Sequence, residues 1–131
     1  MKGIYLLIID VKKDIKRKIG KLGEVKFEKG EYIYVGSAQN GIEKRIERHL
    51  KKKKKNFWHI DYLLTSGDVS INKIFYKEVN KEEECKTAEE LSKTSEPVAK
   101  FGCSDCDCKS HLFKINLSEI KWVINGMQFT I

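Results

Sequence analysis

The segment Gly3-Ile4-Tyr5-Leu6-Leu7-Ile8-Ile9 constrains the fold more than any other part of the chain. It is a nearly unbroken apolar run without polar alternation, ended by Asp10, and such a run predicts a strand buried on both faces. It is too short to cross a bilayer, and no small-residue cleavage site follows it. We therefore expect a soluble, cytoplasmic protein with no membrane association. At 131 residues the chain suffices for one domain with a real core and is too short for two, so 1–131 reads as one unit.

Further along, Tyr32-Ile33-Tyr34-Val35 is rich in aromatic and β-branched residues and ends at Gly36, predicting a second strand that pairs antiparallel with the first. Between them, the basic stretch Asp10 to Leu22 reads as a loop or short helical excursion, and Val25 to Phe27 as a short strand. Ile42, Ile46 and Leu50 recur every four residues and predict a helix that runs into Lys51 to Lys55 as a solvent-facing C-terminus. A short helix over 57–64, a strand over 69–76, and a helix opened by an Asn80/Glu83 capping box and running to about Lys93 follow. Pro97 forbids that helix to continue. Residues 101–111 read as a loop, and 112–130 as short terminal strands. The expected architecture is α+β, a small, mainly antiparallel central sheet flanked by helices.

Charge directs attention to a polyanionic partner. Lys and Arg number 26 against 19 Asp and Glu, a formal net charge of +7, and concentrated cations gain most from nucleic acid or an anionic surface. Arg45, Arg48 and His49 are spaced by three and four residues and share one helical face, where guanidiniums can hold a phosphate bidentately. The bland alternative is a solvated basic face. Tyr5 and Tyr34 project from adjacent strands, and a phenol so placed can orient a water, or accept its proton where nearby charge lowers its pKa. Ordinary sheet tyrosines are the alternative. Glu84 shares a helical stripe with Ala88 and Leu91, and a carboxylate on an inward stripe implies an ion pair or a hard cation such as Mg²⁺. Cys103, Cys106, Cys108 and His111 supply three thiolates and an imidazole, a candidate zinc set, with Cys85 as a further ligand or disulfide partner. A tight structural loop with free or paired thiols is the alternative there.

Gly3-Ile4-Tyr5, Tyr34-Val35-Gly36-Ser37-Ala38 and Arg45 with His49 resemble the motifs of the GIY-YIG nucleases, which include homing endonucleases and a repair-nuclease subunit. Trp58-His59-Ile60-Asp61-Tyr62-Leu63, Glu84-Cys85 and Phe101-Gly102-Cys103-Ser104-Asp105-Cys106 with Ser110-His111-Leu112 look like hallmarks of the DUF123 branch of that superfamily. The resemblance implies a phosphodiester hydrolase using Mg²⁺ or Mn²⁺, with DNA favoured over RNA as substrate and a DNA-repair protein as a further partner. It implies that Tyr5 or Tyr34 orients or activates the attacking water, and that Arg45 stabilises charge on the phosphate. Glu84 matches the metal-anchoring glutamate best, with Glu89 a second candidate, and His49 matches an assisting acid or base. Arg48, Lys51, Lys52, Lys53 and His59 are then expected to contact the nucleic acid. Two departures stand out. The connection between Tyr5 and Tyr34 is long, implying an extra hairpin or strand at Lys18 to Phe27 beside the cleft, and the family's late asparagine has no clear match. A catalytically inactive nucleic-acid-binding module and a zinc-stabilised interaction domain remain the alternatives to an enzyme.

Overall fold

The computed structural model describes residues 2–103, 108–116, 118, 121–124 and 127–130. The apolar run becomes β1 (Gly3–Val11), and its side chains divide between two cores as period-two geometry requires. Tyr5, Leu7, Ile9 and Val11 enter one core, while Leu6 and Ile8 enter the other. β4 (Gly30–Ala38) lies antiparallel on one side of β1, and β5 (Val69–Lys77) lies antiparallel on the other. β7 (Leu112–Ile115) and the two-residue β6 (Glu96–Pro97) extend the β4 side, and β8 (Gln128–Thr130) extends the β5 side. The sheet order is β6-β7-β4-β1-β5-β8. Pro97 sits on an edge strand, where its missing N–H costs the ladder nothing.

Helices close both faces. The first core takes Ile42 and Ile46 of α1 (Ile42–Leu50) and Ile60, Leu63 and Leu64 of α2 (His59–Leu64). The second takes Ala88 and Leu91 of α3 (Glu82–Ser92) and Val123 of α4 (Lys121–Ile124). An α+β fold with a mainly antiparallel sheet is therefore what the chain adopts. Among the described residues, no helix is long and apolar enough to cross a membrane.

Several local expectations give way to long-range contacts. The basic stretch after β1 is not mainly loop or helix: β2 (Ile15–Lys18) and β3 (Glu24–Phe27) form a hairpin joined through a 3-10 turn at Gly20–Leu22, so the extra hairpin expected at Lys18 to Phe27 is present and starts earlier, at Ile15. Ile15, Ile19 and Phe27 are buried while the lysines between them face outward, so the charges hid the strand alternation. α1 stops at Leu50, and Lys51 is already extended, so the lysine run is not a helical tail. Lys54 folds back to donate to the carbonyls of Arg48 and His49 at 3.1 and 2.9 Å. Lys52 donates to the carbonyls of Leu64, Ser66 and Val69 at the end of α2 and the start of β5. The run thus caps two helix C-termini, whose last carbonyls lack intrahelical donors. α2 begins two residues late, because Asp61 accepts the backbone N–H groups of Phe57 and Trp58, each at 2.9 Å. The Asn80/Glu83 capping box does not form. Lys81 is the N-cap, no side chain caps the end, and the Asn80 backbone carbonyl accepts the Glu83 N–H at 3.1 Å. Between the terminal strands, α4 interposes a single helical turn.

The two motif glycines follow from close approach. Tyr5 pairs with Gly36 across β1 and β4, and a Cβ at Gly36 would collide with the Tyr5 ring. A Cβ at Gly3 would collide with the Lys77 carbonyl oxygen on β5. Gly36→Ala is expected to destabilise the protein by about 1–3 kcal/mol through overpacking. In a denaturation double-mutant cycle with Tyr5→Leu, most of that cost should disappear, because the ring it strikes is gone; equal costs in both backgrounds would refute the close approach.

Candidate active site

Where β1 begins and β4 ends, a cavity of about 970 Å³ opens. Tyr5, Tyr34 and Gly36 come from the sheet, Arg45 from α1, Trp58 and His59 from the entry to α2, and Glu84 from α3. These residues are remote in sequence, and antiparallel pairing plus packing of helices on both faces brings them to one rim. Lys21 of the β2–β3 turn, Lys81 and Lys100 complete a cationic lining around Glu84, the one carboxylate that lines the cavity among the described residues.

Tyr5 is held at its hydroxyl. Its Oη lies 2.7 Å from Nε2 of His49, which is almost fully buried. Burial drives the His49 pKa down to about 3, helped by the nearby Lys54, Arg45 and Arg48, against an opposing pull from Asp61. The ring is therefore neutral near pH 7 and carries one proton. If Tyr5 donated to Nε2, that proton would sit on Nδ1, a buried atom with no hydrogen-bond partner among the described residues. A buried orphan N–H is rarer than a buried orphan lone pair. The favoured tautomer therefore has Nε2–H donating to the phenol oxygen, and the phenol O–H is left to point into the cavity. Burial also pushes the Tyr5 phenol well above its ordinary range, although Arg45 pulls the other way. Tyr34 is raised for the same reason, with Tyr5 and Glu84 adding to the effect. Both phenols are protonated at neutral pH, so in this state they are hydrogen-bond donors and positioning groups rather than bases.

The helix-face cations divide into two roles. Arg48 is bidentate on Asp61, at 2.8 and 2.9 Å, and Asp61 has no exposed surface. Burial alone would raise the Asp61 carboxyl, but the Arg48 hydrogen bonds and the Trp58 and Phe57 N–H groups outweigh it and hold its pKa below the ordinary value. A buried carboxylate so paired becomes costly when its partner leaves. Arg48 thus holds a structural ion pair, with its side chain partly exposed. Lys52 is held by its three carbonyls. Both Arg45 and Arg48 stack on the Trp58 indole, at 4.3 and 4.4 Å, but Arg45 donates to the Ser37 carbonyl at 3.1 Å and forms no ion pair among the described residues. Its charge faces the cavity. Lys51 and Lys53 are exposed and lie outside the cavity lining. His59 accepts the Gly102 N–H on Nδ1 at 2.8 Å, which places its own proton on Nε2.

Glu84 lines the cavity on the first turn of α3, with a carboxylate oxygen 3.7 Å from Nδ1 of His111. Glu89, the second candidate, is exposed and borders two shallow grooves elsewhere. The cysteine set also differs from expectation. Cys103 lines the cavity, with Sγ 3.5 Å from the Phe101 carbonyl, whereas Cys85, Cys108 and His111 gather together. Cys106 lies outside the described residues. Sequence reasoning missed Asp61 as the anchor of Arg48, although an acid among Ile60, Leu63 and Leu64 was a signal. It also missed Lys21 and Lys100, whose place in the cavity depends entirely on tertiary structure. Phe57, 77% exposed on the rim, was a third omission.

A family model described as a domain of unknown function, DUF123, matches residues 4–128. The chain belongs to the DUF123 family. Neither the curated proteins nor the solved structures provide a match. Gly36, Tyr5, Arg45 and Glu84 all fall within the segment that the DUF123 match covers.

Burial of neutral His49 has a measurable consequence. Its folded pKa of about 3 lies below the ordinary 6.5, so between those values the unfolded chain binds a proton that the folded chain refuses. Stability should therefore fall as pH drops from 6.5 towards 3, by about 1.4 kcal/mol per pH unit from this group. The Asp61 contribution is lost only below its ordinary value of 3.8, as its depressed carboxyl protonates. His49→Gln, which can keep a donor near Tyr5 without titrating, should flatten the stability profile between pH 6.5 and 4 in urea titrations. An unchanged slope would contradict a buried neutral imidazole.

Proposed function

We propose that this DUF123 chain is a divalent-metal-dependent endonuclease of GIY-YIG type that hydrolyses phosphodiester bonds in DNA. The observation that carries the reading is the convergence of Tyr5, Tyr34, Arg45 and Glu84 on one cavity whose other charged lining residues among those described are Lys21, Lys81 and Lys100. The motif resemblance assigns catalytic roles to those same four residues. A cationic cavity with a single carboxylate suits a polyanion held together with a hard cation. Mg²⁺ needs few protein ligands and takes the rest of its shell from water and phosphate, so Glu84 fits as its anchor. When bound, the metal supplies Lewis-acid activation of the phosphoryl group and stabilises the leaving oxygen.

The chain's own residues do the positioning. Arg45, stiffened by the Trp58 indole and the Ser37 carbonyl, presents its guanidinium to a non-bridging phosphate oxygen, where negative charge builds as water adds. His49 fixes the Tyr5 oxygen, and the Tyr5 O–H aims at the attacking water. Lys21, Lys81 and Lys100 contact flanking phosphates without reading sequence. Phe57 offers a flat exposed face on which an unpaired base can stack, which favours branched or single-stranded DNA over continuous duplex.

The test is cleavage of supercoiled, branched and single-stranded DNA with Mg²⁺ or Mn²⁺. Wild type should cut in a metal-dependent way, Glu84→Gln and Arg45→Ala should each lose about 100-fold or more, and Glu89→Gln should be unaffected. Cutting that survives Glu84→Gln would contradict the site. Salt-sensitive binding by a wild type that cuts nothing would replace the enzyme with a binding module.

A further inference from the structure

Cys85, Cys108 and His111 bring two sulfurs and an imidazole nitrogen within 4.8 Å of one another. Cys85 comes from α3, and the other two come from the segment that leads into β7, so the group links a helix to the sheet. We propose that these three residues bind a structural zinc ion, distinct from the hard cation assigned to Glu84.

Donor chemistry selects the metal. Thiolate and imidazole are soft to borderline ligands that suit Zn²⁺, whereas Mg²⁺ and Ca²⁺ require oxygen. With bonds of about 2.3 Å to sulfur and 2.0 Å to nitrogen, tetrahedral ligands stand about 3.5–3.8 Å apart. The observed separations therefore need to contract by only about 1 Å, within reach of small side-chain rotations.

The surroundings match what a zinc histidine requires. His111 is buried, and its Nδ1 lies 3.2 Å from the Val35 carbonyl and 3.7 Å from the Glu84 carboxylate. Donation from Nδ1–H to the carbonyl makes Nε2 the nitrogen that carries the lone pair, and metal-binding histidines are commonly oriented by such a second hydrogen bond. A groove lined by Cys85, Cys108 and Lys109 opens beside the two sulfurs and provides a path to solvent. A water completes the tetrahedron. Cys108 and His111 belong to the ligand set expected from spacing and Cys85 is the further ligand named there, whereas Cys103 lines the cavity with its Sγ 3.5 Å from the Phe101 carbonyl. Zinc here would pin the first turn of α3, and with it the backbone that carries Glu84. The proposal does not depend on the nuclease reading, since an inactive chain would bind zinc equally well.

The test is metal analysis of the full chain purified under reducing conditions and supplied with zinc. About one zinc per chain is expected for wild type and for Cys103→Ser, with loss of at least tenfold in affinity for Cys85→Ser and Cys108→Ser. Should the serine variants fail to fold, cobalt substitution of wild type and Cys103→Ser provides a second readout. Both proteins should then show thiolate-to-cobalt charge-transfer bands and tetrahedral d–d bands, and a chelator should lower the wild-type Tm. Three outcomes would overturn the site: a folded wild type without zinc whose Tm ignores both zinc and chelator, loss of zinc in Cys103→Ser, or a Cys85–Cys108 disulfide in the purified chain.

Discussion

The hydrogen bond between Tyr5 and His49, made across the bare backbone of Gly36, ties the core of this protein to its cavity. The ring can lie across β4 only because its cross-strand partner has no side chain. Once there, its hydroxyl meets His49 on the inner face of α1, so the helix that delivers Arg45 is fastened to the strand that delivers Tyr5. The energetic consequence is severe burial of an imidazole, tolerated because the ring stays neutral. The functional consequence is a phenol whose oxygen is fixed and whose proton faces the cavity.

Around that contact the basic residues fall into two populations. Arg48, Lys52 and Lys54 are consumed by the protein: one neutralises a buried carboxylate and two satisfy helix-end carbonyls. Burial lowers the Lys54 ammonium to about 8, aided by Arg48 and Lys52 against the attraction of Asp61, which shows how closely these charges crowd one another. Arg45, Lys21, Lys81 and Lys100 instead surround the cavity. Net charge alone does not separate the two groups, and only the second creates a field that a polyanion can use.

This division also explains what could be read from the sequence. The Gly3 to Ile9 run, the Tyr32 to Val35 strand and the Ile42/Ile46 stripe were legible because burial on a sheet or helix leaves a periodic record. The lysine run was misread because five cations in a row look the same whether they meet water or the carbonyls of a distant helix. The hairpin at Ile15 to Phe27 was legible in part, from its strand at Val25 to Phe27 and the length of the Tyr5-to-Tyr34 connection, whereas its first strand was obscured because three of its four residues are cationic. Among candidate site residues, Tyr5, Arg45 and Glu84 converge where chain-remote motifs had to meet. Lys21 lacks any local pattern that could announce it, Asp61 was marked only by being an acid among Ile60, Leu63 and Leu64, and the Asn80/Glu83 pattern announced a cap that the backbone did not use.

The central claim is that Glu84 anchors a divalent cation in the cavity that Tyr5 and Arg45 line. It is tested most directly by paramagnetic relaxation, titrating Mn²⁺ into isotopically labelled protein bound to a short branched oligonucleotide. Selective broadening of the Tyr5, Gly36, Arg45 and Glu84 backbone resonances, abolished by Glu84→Gln while the fold is retained, is the predicted result. Broadening centred on Glu89 or confined to the cysteine cluster, or broadening that persists unchanged in Glu84→Gln, would contradict the account.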